Sequence, residues 1–142
     1  MRFIDQQRRA ALSAIGAAAL LAACGTRRPE AAATGPAWDA YRVRVGQRLV
    51  AANPHATYTG APPEPLLAIP VLEIELNGDG SIRRIEILRE PRQAKDTLQI
   101  AVDAVRRAAP FGDVSRLPRP WKFVETFLFD DSRKFKPRTL ER

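Results

Sequence analysis

The chain holds a single cysteine, Cys24, among 142 residues. An intramolecular disulfide framework and a multi-cysteine zinc site are therefore excluded. It holds a single histidine, His55, in a proline-rich stretch with no cysteine partner. Ser81, Ser115 and Ser132 fall in turn or tail contexts without the strand–turn–helix setting of a nucleophile elbow. A hydrolase thus lacks its constellation. A phosphate-cradling loop is missing too, because the glycines of Asn77-Gly-Asp-Gly are not followed by a helical pattern. Acidic residues are in deficit, 16 against 23 basic ones, for a formal charge of +7. The length is enough for one domain. These absences point to a non-enzyme without cofactor or metal.

What is present begins with a targeting pattern. Met1 to Arg9 carries Arg2, Arg8 and Arg9 against Asp5, and Ala10 to Ala23 is uncharged and apolar. A basic n-region followed by an apolar h-region reads as an export signal over residues 1–23. At 1.5 Å per residue the apolar run makes a helix of roughly 21 Å, short of a hydrocarbon core of roughly 30 Å. The run closes on Leu21-Ala22-Ala23-Cys24-Gly25, which resembles the lipobox of bacterial lipoproteins. The resemblance implies that Cys24 becomes the first mature residue and carries acyl chains. Several chains on one residue give lasting attachment, since each buried methylene contributes about 0.8 kcal/mol. Gly25 after the cysteine, rather than Asp, implies passage to the periplasmic face of the outer membrane, with the inner membrane as second choice. Arg8-Arg9 leaves the export route open between the general and the twin-arginine pathways.

Loss of residues 1–23 removes three Arg and one Asp, so the mature chain stays basic. An exported chain meets no chromosome, and its aromatic residues are not interleaved with basic ones. Nucleic acid is therefore not an expected partner.

Residues 24–36 read as the lipidated cysteine and a flexible tether. The 12 residues from Gly25 to Pro36 are small, polar and broken by Pro and Gly, and reach about 40 Å when stretched. Trp38, Tyr41, Val45, Leu49 and Ala52 then recur at helical spacing, predicting an amphipathic helix over Ala37 to Ala51 that stops before Asn53-Pro54. Asn53 to Pro65 reads as an irregular crossing segment that no ladder accommodates. Leu72-Glu-Ile-Glu-Leu alternates strictly, Asn77-Gly-Asp-Gly is a turn, and Ser81 to Arg89 supplies a second strand. Ile82 is out of step with Ile85 and Ile87, which predicts a bulge near Arg83-Arg84. Asp96 and Gln99 have capping-box spacing before a second helix with Leu98, Ala101, Val102, Val105 and Ala108 as its apolar stripe. Pro110 ends that helix, and Phe111 folds back on the core. Phe123 to Phe129 reads as a third strand, with Phe123, Phe127 and Phe129 to one side and Val124, Thr126 and Leu128 to the other. Residues 132–142 read as a basic, solvated tail.

The order αββαβ over residues 37–131 resembles the periplasmic C-terminal domains of TonB and TolA. The hairpin Leu72 to Leu88 with its Asp-Gly turn is similar to that family's strand, turn and strand, and Leu98 to Phe111 to its second helix and proline break. The fold class expected is thus α+β, a three-stranded antiparallel sheet packed by two helices. The resemblance implies a non-catalytic domain whose last strand offers an open edge to an extended segment of an envelope protein. That places partner binding on Val124, Glu125, Thr126, Phe127 and Leu128, unless this strand serves the core alone. Family members that transmit energy carry an inner-membrane helix and a long Pro-rich spacer. Here a lipid-attachment cysteine and a short tether stand in their place, which suits an accessory role in outer-membrane transport or envelope integrity. The alternative is a binder of anionic lipopolysaccharide or peptidoglycan through Arg83, Arg84, Arg106, Arg107 and the tail. The sequence leaves the partner and the oligomeric state open.

Overall fold

The computed structural model describes residues 30–141. The export signal, Cys24 and most of the tether expected from the sequence lie outside the described residues.

Helix α1 spans Pro36–Ala52, with proline in its first turn, where a missing N–H costs nothing. Trp38, Tyr41, Val45 and Leu49 form its buried stripe. Asn53-Pro54 ends it where the sequence indicates. Strand β1 (Val71–Leu76) and strand β2 (Ile82–Arg89) form the hairpin, with Leu72, Ile74 and Leu76 buried on one face. The register slips between Glu75 and Leu76, so that Ile82 faces Leu76 and Arg84 faces Glu75, and the bulge sits at Arg83. A second slip leaves Leu88 as the extra residue between Ile87 and Arg89.

The hairpin turn is also a packing point. Gly80 has φ +84°, and a Cβ there would stand 2.0 Å from the carbonyl oxygen of Gly112. Only glycine lets the turn lie this close to the loop after the second helix. The Gly80 carbonyl in turn accepts the Phe111 N–H at 2.9 Å.

Helix α2 spans Asp96–Ala108 and buries Thr97, Ala101, Ala104, Val105 and Ala108. The capping box expected at its start does not form. Lys95 is the N-cap and no side chain caps the helix. Asp96 instead accepts Arg133 Nε at 2.6 Å, and Gln99 Nε2 donates to Asp103. A charged partner and an i,i+4 neighbour outcompete the capping geometry. Phe111 does fold back, meeting Phe123 edge to face at a centroid distance of 5.9 Å.

Strand β3 (Lys122–Phe129) pairs antiparallel with β1, Val71 opposite Thr126 through Glu75 opposite Lys122. Its alternation is as expected: Phe123, Phe127 and Phe129 point into the core. The sheet, however, has four strands and not three. Strand β4 (Phe135–Pro137) pairs with β3, Phe127 opposite Pro137 and Phe129 opposite Phe135, giving the order β2-β1-β3-β4. The stretch 132–142 is therefore no solvated tail: Phe135 is 0% exposed and packs on Phe127 and Phe129. Burying one aromatic side chain outweighs the solvation of the flanking cations, which lie on the other face or pair with carboxylates. A short 3-10 turn, Arg138–Leu140, follows, and Leu140 lies against Gly46 of α1.

The crossing segment also departs from expectation. Thr57 bridges Phe135 in parallel, with the Ala56 carbonyl accepting the Phe135 N–H and the Tyr58 N–H reaching the Phe135 carbonyl. Ala68 bridges Phe129. Prolines at positions 62, 63 and 65 bar a ladder only where they stand, and the flanking residues pair. Both helices lie on one face of the sheet over a single aromatic and aliphatic core.

Candidate functional site

Two sheet edges decide what can be added to this fold. Along β3, Leu76 N–H donates to the Trp121 carbonyl at 2.8 Å, and Phe127 N–H to the Pro70 carbonyl at 3.0 Å. Odd-numbered residues thus bond toward β1, and strand geometry turns the backbone groups of Val124, Thr126 and Leu128 the other way. On that side β4 pairs with Phe127 to Phe129 and ends at Pro137. From Lys122 to Thr126 no strand covers the outer side of β3 among the described residues.

The uncovered half-edge borders a cleft of about 370 Å³ between β3 and α1. Asp39, Arg42 and Val43 line it from the helix, Val124, Glu125 and Thr126 from the strand, and Arg138, Thr139 and Glu141 from the end of the chain. Arg42 donates to Asp39 at 2.5 Å, which holds both charges on the helix wall.

Glu125 shapes the floor. Its side chain lies on the core face of β3, 2% exposed, between positions that hold Phe123 and Phe127. Burial raises its carboxyl above the usual carboxylate range, opposed by hydrogen bonds from Thr139 and Thr126 and by the charge of Arg42. Thr139 Oγ1 donates to Oε2 at 2.7 Å, Thr139 N–H to Oε1 at 3.2 Å, and Thr126 N–H to Oε1 at 3.1 Å. The carboxylate thereby takes one of the outward N–H groups of β3 and pins the terminal turn beside the strand.

Of the five residues expected to bind a partner, Val124, Glu125 and Thr126 come together at this cleft. Phe127 does not: it is fully buried against Phe135. The outer backbone of Leu128 is occupied by β4 and by the Tyr58 hydroxyl, which reaches its carbonyl at 3.0 Å. The strand is therefore half covered and half open. Arg42 and Thr139 escaped the sequence reading, the first because it sits on a helix read only for its apolar stripe. Thr139 lies in a stretch whose composition is dominated by charge.

On the opposite face of the sheet, Thr126 and Leu128 line a wider groove of about 690 Å³, walled by Pro62, Pro63, Leu66 and Ile69. Arg89 and Arg138 stand at its rim with Glu64 and Glu141.

The cations expected to meet an anionic surface are scattered or engaged. Arg83 lies 3.6 Å from Glu75, Arg107 donates to the Asn53 side chain, Arg133 pairs with Asp96 and Lys136 with Glu141 at 2.6 Å. His55 is exposed in a loop. Ser81 and Ser115 donate to their own turn aspartates, Asp79 and Asp113. Among the described residues no group of three or more His, Cys, Asp or Glu is placed to hold a metal ion. No described helix is long and apolar enough to cross a membrane. Comparison with protein-family models, curated proteins and solved structures finds no match to this chain.

Proposed function

We propose that this chain is a non-catalytic, lipid-anchored envelope protein whose TonB/TolA-like domain binds other envelope proteins by strand addition. Cys24 carries the acyl chains, and the periplasmic face of the outer membrane is where it acts. The observation that carries the binding mode is the uncovered outer side of β3 from Lys122 to Thr126, beside the point where β4 stops. An extended segment entering the cleft continues the line of β4 and pairs with the outward backbone groups of Val124. Main-chain pairing supplies attachment, and the cleft walls, with Arg42 and Arg138 against Asp39 and Glu141, choose among segments. The role is accessory, in outer-membrane transport or envelope integrity.

A photo-crosslinking residue placed at Thr126 in the full-length chain tests this in intact envelopes. A covalent adduct with another envelope protein, absent when the same probe sits at exposed Gln93, supports the reading. No adduct at Thr126, or the same adducts from both positions, overturns it.

A further inference from the structure

The second uncovered edge belongs to β2, at the far side of the sheet from the β3 cleft. The two half-exposed large apolar side chains of the described residues, Ile87 and Leu88, both stand on it, each 50% exposed. Because Leu76, Ile74 and Leu72 bond toward β3, Glu75 and Glu73 bond toward their opposites Arg84 and Glu86. The N–H and C=O groups of Ile85 and Ile87 therefore point away from the sheet, and no strand of the described residues meets them. On the helix face lie the side chains of Ile85 and Ile87, opposite Ile74 and Leu72. Arg84 and Glu86 lie on the other face, and among the described residues neither has an ion-pair partner within 4 Å.

We propose that β2 pairs antiparallel with β2 of a second copy of this chain, about a two-fold axis at Ile85. Charge complementarity selects both the occupant and the register. With the axis at Ile85, Arg84 of each copy faces Glu86 of the other, twice over, and Ile85 meets Ile85 on the helix side. With the axis at Arg84 two arginines meet, and at Glu86 two glutamates, each unfavourable for directly opposite positions. With the axis at Ile87, Glu86 faces Leu88 and Ile85 faces Arg89. Only the Ile85 register matches charge to charge across the strand ends that carry outward backbone groups.

Such a contact is self-limiting. An isologous pairing consumes the β2 edge of both copies, and the outer edge of β4 is already bridged by residues 56–58, so no open-ended ladder of copies results. The bulges at Arg83 and Leu88 bracket the regular run Arg84 to Ile87 and keep the ladder short, so the pair is reversible. The β3 cleft is untouched by it, and each copy keeps its own partner site.

Two full-length copies with different tags, one carrying Arg84→Cys and the other Glu86→Cys, are co-expressed and their membranes treated with a mild oxidant. Directly opposite positions of a non-hydrogen-bonded pair bring the Cβ atoms to about 4.5–5.5 Å, near disulfide reach. The expected result is a mixed disulfide between unlike copies, several-fold above either like pair and absent from the wild-type chain. In a second set, Ile85→Cys copies crosslink to one another. Adding Arg84→Glu lowers that yield by about tenfold, and adding Glu86→Arg to the same chain restores it. Like pairs equal to unlike pairs, no disulfide although each thiol reacts with maleimide, or failure of the double charge swap to restore crosslinking overturns the proposal.

Discussion

Thr139 gives both its hydroxyl and its backbone N–H to the buried carboxylate of Glu125, at 2.7 and 3.2 Å, and so ties the end of the chain to the interior of β3. The same carboxylate takes the Thr126 N–H. A side chain that looks like an exposed strand residue in the sequence thus sets how much of the strand edge is free. Its neighbours on the core face are phenylalanines, so the charge is held by these three donors and by the nearby Arg42.

This arrangement gives stability a pH dependence of definite sign. Burial raises the Glu125 pKa above its ordinary value, so the folded state binds the proton more tightly than the unfolded state does. The contribution from Glu125 is fully present below the unfolded pKa and is lost as pH rises through the raised folded value. Thermal unfolding followed from about pH 4 upward is expected to show a loss in this window that Glu125→Gln flattens. Thr139→Val, which removes the hydroxyl donor, is expected to destabilise by about 1–2 kcal/mol. An unchanged pH profile in Glu125→Gln would refute the assignment.

Asn53 joins the two helices. Its Nδ2 donates to the Leu49 carbonyl at 2.8 Å and to the Ala104 carbonyl at 3.1 Å, while its Oδ1 accepts Arg107. Asn53→Ala removes the side-chain donations that join the Leu49 and Ala104 carbonyls and the acceptor of Arg107, and a loss of about 1–2 kcal/mol is expected in urea unfolding. Asn53→Asp keeps the acceptor for Arg107 but removes both amide donations, so it is expected to recover little.

Phe135 tests whether the end of the chain belongs to the fold. Truncation to alanine removes its packing on Phe127 and Phe129, and a cost of about 3–5 kcal/mol is expected. Substitution of exposed Lys134 by alanine is expected to change stability by less than about 0.5 kcal/mol. Equal effects of the two changes would show that β4 contributes no core.

The lipid anchor is tested by labelling. Cys24→Ser is expected to abolish incorporation of labelled palmitate and to release the chain from the membrane fraction, because no other cysteine is present to carry acyl chains. Retention of label in that variant would sink the anchor.

The strands and helices with clear period were legible because their periodicity reports directly on burial. Leu72, Ile74 and Leu76 alternate and are buried, and Trp38, Tyr41, Val45 and Leu49 recur at helical spacing and are buried. The bulge at Arg83 was legible for the same reason, since Ile82 breaks the period of Ile85 and Ile87. The fourth strand was hidden by its length: in Phe135-Lys136-Pro137 two inward residues surround one cation, too few for a period to emerge from a basic stretch.

The linear order of residues by itself determined which segments are amphipathic, where prolines and glycines interrupt them, and that histidine and cysteine each occur once. Those are local properties, set by side-chain size, polarity and backbone freedom. Only the tertiary structure decided that β3 is half covered and that β2 keeps an edge of its own. It also decided that Glu125 is buried. Each depends on which residues distant in the chain meet across the sheet, as Thr57 meets Phe135 and Val71 meets Thr126. Hydrogen bonding between strands and exclusion of water from the core are settled by that pairing, and no short window of sequence contains both partners.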